Sequence, residues 1–101
     1  MHKKFKGKLN IGYRGDITDK NDLAIVYTPG VAEPCREIER NPKAIWDVTI
    51  KNNLVAVITD GTAVLGLGDI GPAASMPVME GKCCLFKRFA NIDAFPIAVS
   101  T

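Results

Sequence analysis

Apolar residues along the first fifty positions come in short groups, separated by polar stretches and by glycine or proline. Residues 3–20 are polar and glycine-containing, which predicts a short helix or coil followed by a loop. The apolar run at 22–30 fits either a short helix or a strand. It closes at Pro29-Gly30, which is a strong stop signal.

Two more helices are predicted before residue 50. Residues 33–42 begin with an acid and a proline, as helix N-termini favour, and they end at the stop signal Asn41-Pro42. Residues 43–49 predict a second short helix with Trp46 packed inward. Residues 1–50 are therefore expected to form a mostly helical N-terminal segment.

Longer apolar runs follow, and they predict a strand, a helix and a strand in that order. Residues 54–59 are apolar and β-branched, as in a buried strand, and Asp60-Gly61 is a favoured pair for a two-residue hairpin turn. Residues 62–65 would be the returning arm. A helix at 74–91 and a buried strand at 94–99 then favour a right-handed crossover with a parallel strand pair. The expected fold class is α/β, a small mixed sheet (a β-hairpin plus a parallel strand) with N-terminal helices.

The predicted helix at 74–91 contains a lysine in an apolar setting. Its apolar face is expected to consist mainly of Val78, Leu85, Phe86 and Phe89. Lys82 lies among these residues. A lysine held against apolar surface loses its proton more easily, because burial disfavours the charged form, and it can then act as a general base. The alternative is a surface lysine whose stem covers apolar surface while its ammonium group stays in water.

Other polar residues have simpler explanations. Tyr27 closes an apolar run, where a buried tyrosine would need a partner for its hydroxyl, although core packing is the default role. Asp60 is most simply a turn residue and Asp69 a loop residue. Glu80 either pairs with Lys87 or faces solvent.

The string GLGDIG at 66–71 matches G-x-G-x-x-G, the phosphate-binding turn of dinucleotide-binding folds. That turn requires a strand, a tight bend and then an unbroken helix. The expected hairpin precedes the glycines here. Pro72 removes an N–H donor, and Pro77 is expected to interrupt the helix. Asp93 precedes its strand, at the wrong end to contact a ribose. A bend that brings the backbone close to a pocket is therefore favoured over a cofactor loop.

Composition and charge exclude several classes of protein. The 101 residues suffice for one small domain, and no apolar run reaches the length of a membrane span. A basic cluster occupies the first eight residues, but no second cluster with interleaved aromatic residues supports a nucleic-acid partner. Cys35, Cys83, Cys84 and His2 do not have the spacing of a zinc site or a disulfide framework. Three free thiols suit a reducing compartment, so a cytoplasmic protein is expected.

Four strings in a fixed order resemble one enzyme family. They are YTPGVAEPC (27–35), TDGTAVLGLGDIGP (59–72), MPVMEGK (76–82) and FPIAV (95–99). Together they resemble the N-terminal part of malic enzymes of the compact bacterial type. The resemblance implies a partial substrate domain over 1–101, with the NAD(P)-binding domain and the metal-binding carboxylates further along a longer chain.

The resemblance also implies a reaction. Malic enzymes oxidatively decarboxylate L-malate to pyruvate and carbon dioxide, with NAD or NADP and Mg²⁺ or Mn²⁺. By its place in the strings, Lys82 would bind malate and act as the general base at the C2 hydroxyl. Tyr27 would be the general acid that protonates C3 after decarboxylation. No cofactor or metal ligand is assigned to this chain, which is expected to be inactive alone and to form homodimers in which N-terminal segments can exchange.

Other interpretations stay open at this point. Larger relatives carry Glu-Arg after the TDG turn, where this chain has Thr62-Ala63, so the group that holds the substrate carboxylate is unidentified. A malolactic or decarboxylase-only relative would share these strings. A non-catalytic module that binds an anion through residues 66–71, or that only dimerises, is the alternative from a different class.

Overall fold

The computed structural model describes residues 1–64 and 66–101, which divide into two compact units. One unit combines Met1–Ile11 with Asn53–Thr101, and the other is Gly12–Asn52. The predicted site residue Lys82 therefore belongs to the first unit and Tyr27 to the second.

Short helices precede the first strand, and the longest helix lies between the two strands. The helices are α1 (His2–Phe5), α2 (Lys20–Val26), α3 (Ala32–Arg40), α4 (Ile45–Val48) and α5 (Gly71–Ala90), with short 3-10 helices at Pro42–Ala44 and Ile50–Asn52. The strands are β1 (Leu54–Thr59) and β2 (Asp93–Ala98). The two helices predicted between residues 33 and 49 are confirmed, and the ambiguous run at 22–30 begins as a helix.

The expected inward packing of Trp46 is wrong. Its side chain is 51% exposed, and the ammonium group of Lys51 lies 5.7 Å from the ring centroid. Helix α4 is a single turn, too short to bury a whole face. The buried position of the segment is Ala44, just before the helix, and the indole of Trp46 stays outside.

Strands β1 and β2 pair in parallel, with Leu54 opposite Asp93 and Thr59 opposite Ala98. Helix α5 connects them and packs against both. The α/β class and the parallel pair are thus confirmed. The strands are less buried than predicted: Ile58 is 64% exposed. Among the described elements the sheet packs extensively only with α5, so one layer of helix covers two strands.

The hairpin predicted after β1 is not formed, since the sheet of the described residues contains only β1 and β2. Val64 instead makes an isolated antiparallel bridge to Gly68, with both main-chain N···O distances at 2.8 Å. Leu65, the end of the predicted returning arm, lies outside the described residues. The chain closes a small loop on itself rather than returning along β1.

Hydrogen bonds around Gly61 explain this change of direction. The Asp60 carboxylate accepts bonds from the main-chain N–H and the hydroxyl of Thr62, at 3.0 and 2.7 Å, which is the local turn expected of an aspartate. The carbonyl of Gly61 accepts bonds from the N–H groups of Ile70 and Gly71, at 3.0 and 3.1 Å. These bonds direct the chain toward the start of α5.

Helix α5 is continuous from Gly71 to Ala90, so the expected interruption at Pro77 is wrong. Its buried residues are Ser75, Met79 and Cys83, spaced by four. Leu85 and Phe89, predicted to lie on the apolar face, are 57% and 77% exposed. Packing against the sheet supports the helix despite the proline, because tertiary contacts override local propensity. Within the described residues, no helix is long and apolar enough to cross a membrane.

Candidate active site

Lys82 lies on the exposed side of α5. It borders an open groove lined by Lys8, Pro77, Val78, Gly81, Lys82 and Leu85. The groove floor is apolar and its two cationic side chains come from different parts of the chain. Burial of Lys82, which the sequence offered as a route to a neutral amine, is not found in the chain. Of the two alternatives, the structure has the lysine that covers apolar surface with its stem and reaches water with its head.

An N-terminal arm, residues 6–9, docks beside this groove. One oxygen of the Glu80 carboxylate accepts hydrogen bonds from the main-chain N–H groups of Lys8, at 2.7 Å, and Leu9, at 3.3 Å. Glu80 therefore neither pairs with Lys87 nor simply faces solvent. Lys87 bonds instead to Asp93, at 3.0 Å.

The side chain of Lys8 strengthens this docking. Its ammonium group donates to the carbonyl of Pro77 at 2.8 Å and lies 2.7 Å from the ring nitrogen Nε2 of His2. The N–H of Lys8 holds the pKa of Glu80 below its ordinary value, and the positive charges of Lys8 and His2 add to the effect. The carboxylate is therefore charged and bonded at neutral pH.

Tyr27 occupies the end of α2, where the backbone turns sharply. Its N–H donates to the carbonyl of Leu23 at 2.9 Å, and its own carbonyl accepts from Val31 at 2.7 Å. A bond from the N–H of Gly30 to the carbonyl of Ala24, at 2.7 Å, closes the turn. The peptide between Thr28 and Pro29 is cis. The side chain of Tyr27 is 65% exposed, so its default role as a core residue does not apply within the chain.

The start of α2 is fixed by its own side chains. Asp19 is the N-cap and accepts a bond from the N–H of Asp22 at 2.9 Å. Asp22 in turn accepts bonds from the hydroxyl and the N–H of Thr18, at 2.8 and 3.1 Å, and these bonds lower its pKa. Such caps satisfy N–H groups that the helix cannot. Tyr27 thus follows a helix of seven residues whose two ends are both fixed by hydrogen bonds.

A second open groove lies at the carboxyl end of the strands, where parallel sheets commonly hold ligands. It is lined by Ile58, Thr59, Asp60, Thr62, Ala63, Val99 and Thr101. The pKa of Asp60 is lowered, chiefly by the bond from the Thr62 hydroxyl. Because Asp60 is acidic and already bonded within its turn, this groove offers no cation for a substrate carboxylate.

The described residues do not fit a dinucleotide or a metal ion by themselves. Six residues (60–65) lie between the end of β1 at Thr59 and Gly66, whereas a dinucleotide loop follows its strand directly. A Cβ on Gly66, Gly68 or Gly71 would meet nothing within 4 Å, so these glycines serve positive φ angles rather than close packing. Within residues 1–64 and 66–101, no three His, Cys, Asp or Glu side chains form a group that could hold a metal ion.

Sequence reasoning missed Lys8 and Glu80 as a pair, because 72 positions separate them. No local pattern signals a contact across that distance. The buried stripe of Ser75, Met79 and Cys83 was also missed, although its spacing of four was visible. The prediction instead placed the buried face of α5 on the larger apolar residues, which lie on another side of the helix.

Comparison with known proteins places these elements in a family. Residues 6–101 match the family model described as malic enzyme, N-terminal domain. The chain is 54% identical over 101 residues to the bifunctional malic/malolactic enzyme of Bacillus subtilis, and covers 25% of that protein. It is 56% identical over 95 residues to the NAD-dependent malic enzyme of Geobacillus stearothermophilus, covering 94% of this chain and 20% of the relative.

Solved structures agree with the sequence matches. The NAD-dependent malic enzyme from Thermotoga maritima superposes with a TM-score of 0.93 at 48% identity, over 99% of this chain and 28% of that one. The chain therefore spans about a quarter or less of the length of the curated relatives named above.

Proposed function

The chain belongs to the malic enzyme family, whose members are oxidoreductases, and we propose that it contributes the general base and general acid of malate oxidative decarboxylation. In this proposal its 101 residues are the N-terminal part of the substrate domain of a longer enzyme. The NAD(P)-binding domain would be supplied by other residues of that protein.

The observation that carries the proposal is the placement of Lys82. Lys82 is exposed on a 20-residue helix and borders an open groove with an apolar floor, so it is accessible to a small substrate. We assign to Lys82 the binding of malate and the removal of the C2 hydroxyl proton. A lysine amine can perform both roles, as a cation near a carboxylate and as a neutral base.

Tyr27 is proposed as the general acid that delivers a proton to C3 of the enolate left by decarboxylation. Its exposed ring lies at a turn that main-chain hydrogen bonds close on both sides. A phenol is a weak acid, so it keeps its proton at neutral pH and gives it up only to a strongly basic carbon.

Oxidation in this family of reactions needs a nicotinamide cofactor, and a divalent metal supplies charge stabilisation at the substrate oxygens. The described residues fit neither group, so the roles proposed for this chain concern protons and substrate binding alone. NAD or NADP, and Mg²⁺ or Mn²⁺, are proposed as cofactors held by the remainder of the protein.

Substitutions in the full-length protein test these roles. Lys82→Ala and Tyr27→Phe are each expected to lower kcat for malate-dependent NAD(P)⁺ reduction by about 10²–10⁴-fold. Tyr27→Phe is further expected to slow the exchange of pyruvate C3 protons with deuterated water, followed by NMR. Lys87→Met, on the same helix, and Tyr13→Phe, another exposed tyrosine, are matched controls expected to keep activity. Retained activity in either site variant would contradict its assigned role.

A malolactic reaction is the second candidate, because the relative from Bacillus subtilis is named a bifunctional malic/malolactic enzyme. The two reactions differ in product, so identification of pyruvate or lactate after incubation with malate and NAD⁺ separates them. A non-catalytic role as an anion-binding or dimerisation module predicts that neither product forms in the full-length protein.

We further propose a cytoplasmic homodimer, with N-terminal segments that exchange between protomers. Exposed apolar side chains, such as Phe89 at 77% and Ile58 at 64%, support an interface, and the three free thiols suit a reducing compartment. Light scattering should give a dimer mass, and a monomer at high concentration would refute it. The 101-residue chain alone is expected to show no malate-dependent NAD(P)⁺ reduction.

A further inference from the structure

The turn of α5 that leads into Lys82 begins at Pro77 and ends at Gly81, two residues that disfavour a helix interior. Pro77 has no N–H to donate to the carbonyl four residues earlier and disfavours a helix interior by about 3 kcal/mol relative to alanine. Gly81 adds a cost of about 1 kcal/mol for its backbone freedom. A catalytic side chain that directly follows such a turn needs support from elsewhere.

The N-terminal arm supplies contacts at this turn. Lys8 contacts it twice, through its main-chain N–H to the Glu80 carboxylate at 2.7 Å and through its ammonium group to the Pro77 carbonyl at 2.8 Å. One arm residue thus bridges helix positions three residues apart, within the turn that runs from Pro77 to Gly81. Leu9 adds its N–H to the same carboxylate oxygen at 3.3 Å.

Gly81 gives the arm its room. A Cβ built there would lie 3.6 Å from Cε of Lys8, so the lysine stem crosses the helix directly over the glycine. The carbonyl of Lys8 also lies 3.7 Å from Sγ of Cys84, one turn after Glu80. The arm therefore follows one face of α5 from residue 77 to 84 and forms one wall of the groove that Lys82 borders.

We propose that Glu80, acting through the docked arm, is a positioning residue for Lys82. Its carboxylate fixes Lys8 against the helix, and Lys8 stabilises the turn between Pro77 and Gly81. The stabilised turn then holds the Lys82 amine in line with its substrate. This inference rests on the catalytic role proposed for Lys82. A displacement of about 1 Å is enough to cost a catalytic group roughly 10²-fold in rate.

The test uses the full-length enzyme with steady-state kinetics in malate. Glu80→Ala is expected to lower kcat by about 10- to 100-fold while KM for malate changes less than about 3-fold. A slightly displaced amine still lies close enough to pair with a malate carboxylate, but it loses the alignment that proton removal in the transition state requires. Glu80→Gln keeps an oxygen that accepts from the two N–H groups, so it is expected to restore most of the lost kcat. Amide hydrogen exchange across residues 78–84 should rise in the alanine variant and not in the glutamine variant.

Lys87→Met is the matched control, because it removes a side-chain bond of α5 that does not involve the arm, the bond to Asp93 at 3.0 Å near the helix end. It is expected to leave kcat unchanged. Equal losses of kcat in Glu80→Ala and Lys87→Met would overturn the inference, since general loosening of the helix would explain both. Unchanged kcat in Glu80→Ala would overturn it as well.

Two further variants keep the outcomes distinct. Where Glu80→Ala does not fold, Lys8→Met replaces it. The stem still covers Gly81, but the bond to the Pro77 carbonyl is lost, so the same fall in kcat is expected, with kcat of Lys87→Met again unchanged. Lys82→Ala is measured alongside. If Lys82→Ala retains activity, the proposed function fails. If it is inactive while Glu80→Ala and Lys8→Met keep full kcat, the positioning role alone fails.

Discussion

The two proposed catalytic residues are held in place by different means. The Tyr27 turn is closed by main-chain bonds whose partners lie within six positions, such as the one from Gly30 to Ala24 at 2.7 Å. The turn before Lys82 is held by an arm 72 positions away in sequence, through Glu80. One side chain is therefore placed by local chemistry and the other by tertiary contacts.

This difference has consequences for how each residue responds to change. A locally closed turn loses its geometry only when one of its own few residues is altered. A turn held from a distance can be released from several places, including the loop that delivers α5 to the sheet and the arm that docks on it. Substitutions at distant positions should therefore affect Lys82 more than Tyr27.

Among the contacts between distant segments, those at Gly61 should be the most sensitive to substitution. Its φ is +76°, and an added Cβ would overlap the carbonyl of Gly71, the first residue of α5. Gly61→Ala is expected to lower the free energy of unfolding by about 3 kcal/mol, measured by urea denaturation. Gly66→Ala is the control, with a φ of +79° but open space around the new methyl group. It should cost about 1 kcal/mol. Equal losses would show that positive φ alone explains the effect.

The locally closed segment around Tyr27 should respond less strongly to a substitution at Asp19, the N-cap of α2. Removal of the N-cap carboxylate in Asp19→Ala leaves the N–H of Asp22 without its bond at 2.9 Å, and it is expected to cost about 1 kcal/mol. Amide exchange should rise at Tyr27 and Val31 but stay unchanged at Lys8 and Leu9. Asp16→Ala, an exposed acid in the preceding loop, is the control. A rise in exchange at the arm would contradict the separation between local and tertiary support.

Acid should release the arm with the smallest effect of the three. Because the pKa of Glu80 is lowered, mainly by the N–H of Lys8, its contribution to docking is complete above the ordinary glutamate value of about 4.3. The contribution is lost as pH falls through the lowered folded value.

NMR of the arm amides measures this release. Protection of the Leu9 N–H is expected to fall in acid, whereas the Gly30 N–H, which bonds to a carbonyl, should keep its protection. Glu80→Gln should remove the pH dependence at Leu9. A loss of protection at both amides over the same pH range would indicate general acid unfolding instead of release of the arm.

Much of the architecture could be predicted because its causes are local. Asn41-Pro42 ended α3 as expected, and Asp60 made the turn that aspartate favours. The β-branched run at 54–59 became β1 within the predicted bounds. Each of these outcomes depends on steric and hydrogen-bonding preferences that act over a few residues, so a single sequence contains them.

The errors have a common origin in contacts that no local pattern encodes. The hairpin failed because Gly61 bonds to Ile70 and Gly71 rather than to a returning strand. The predicted break at Pro77 was wrong because the sheet and the arm support the helix around it. Larger residues at Leu85 and Phe89 indicated the wrong face of α5, since the face that packs is chosen by the sheet.

The sequence by itself determined β1, α3 and its end at Asn41-Pro42, the turn at Asp60 and the membership of a family, because all of these follow from residue identities at short spacing or in fixed strings. Only the tertiary structure decided which face of α5 is buried, which way the chain leaves β1, and that Lys8 reaches Glu80 beside Lys82. Those outcomes depend on the free energy of packing between distant segments, which exceeds the small local preferences that a sequence pattern records.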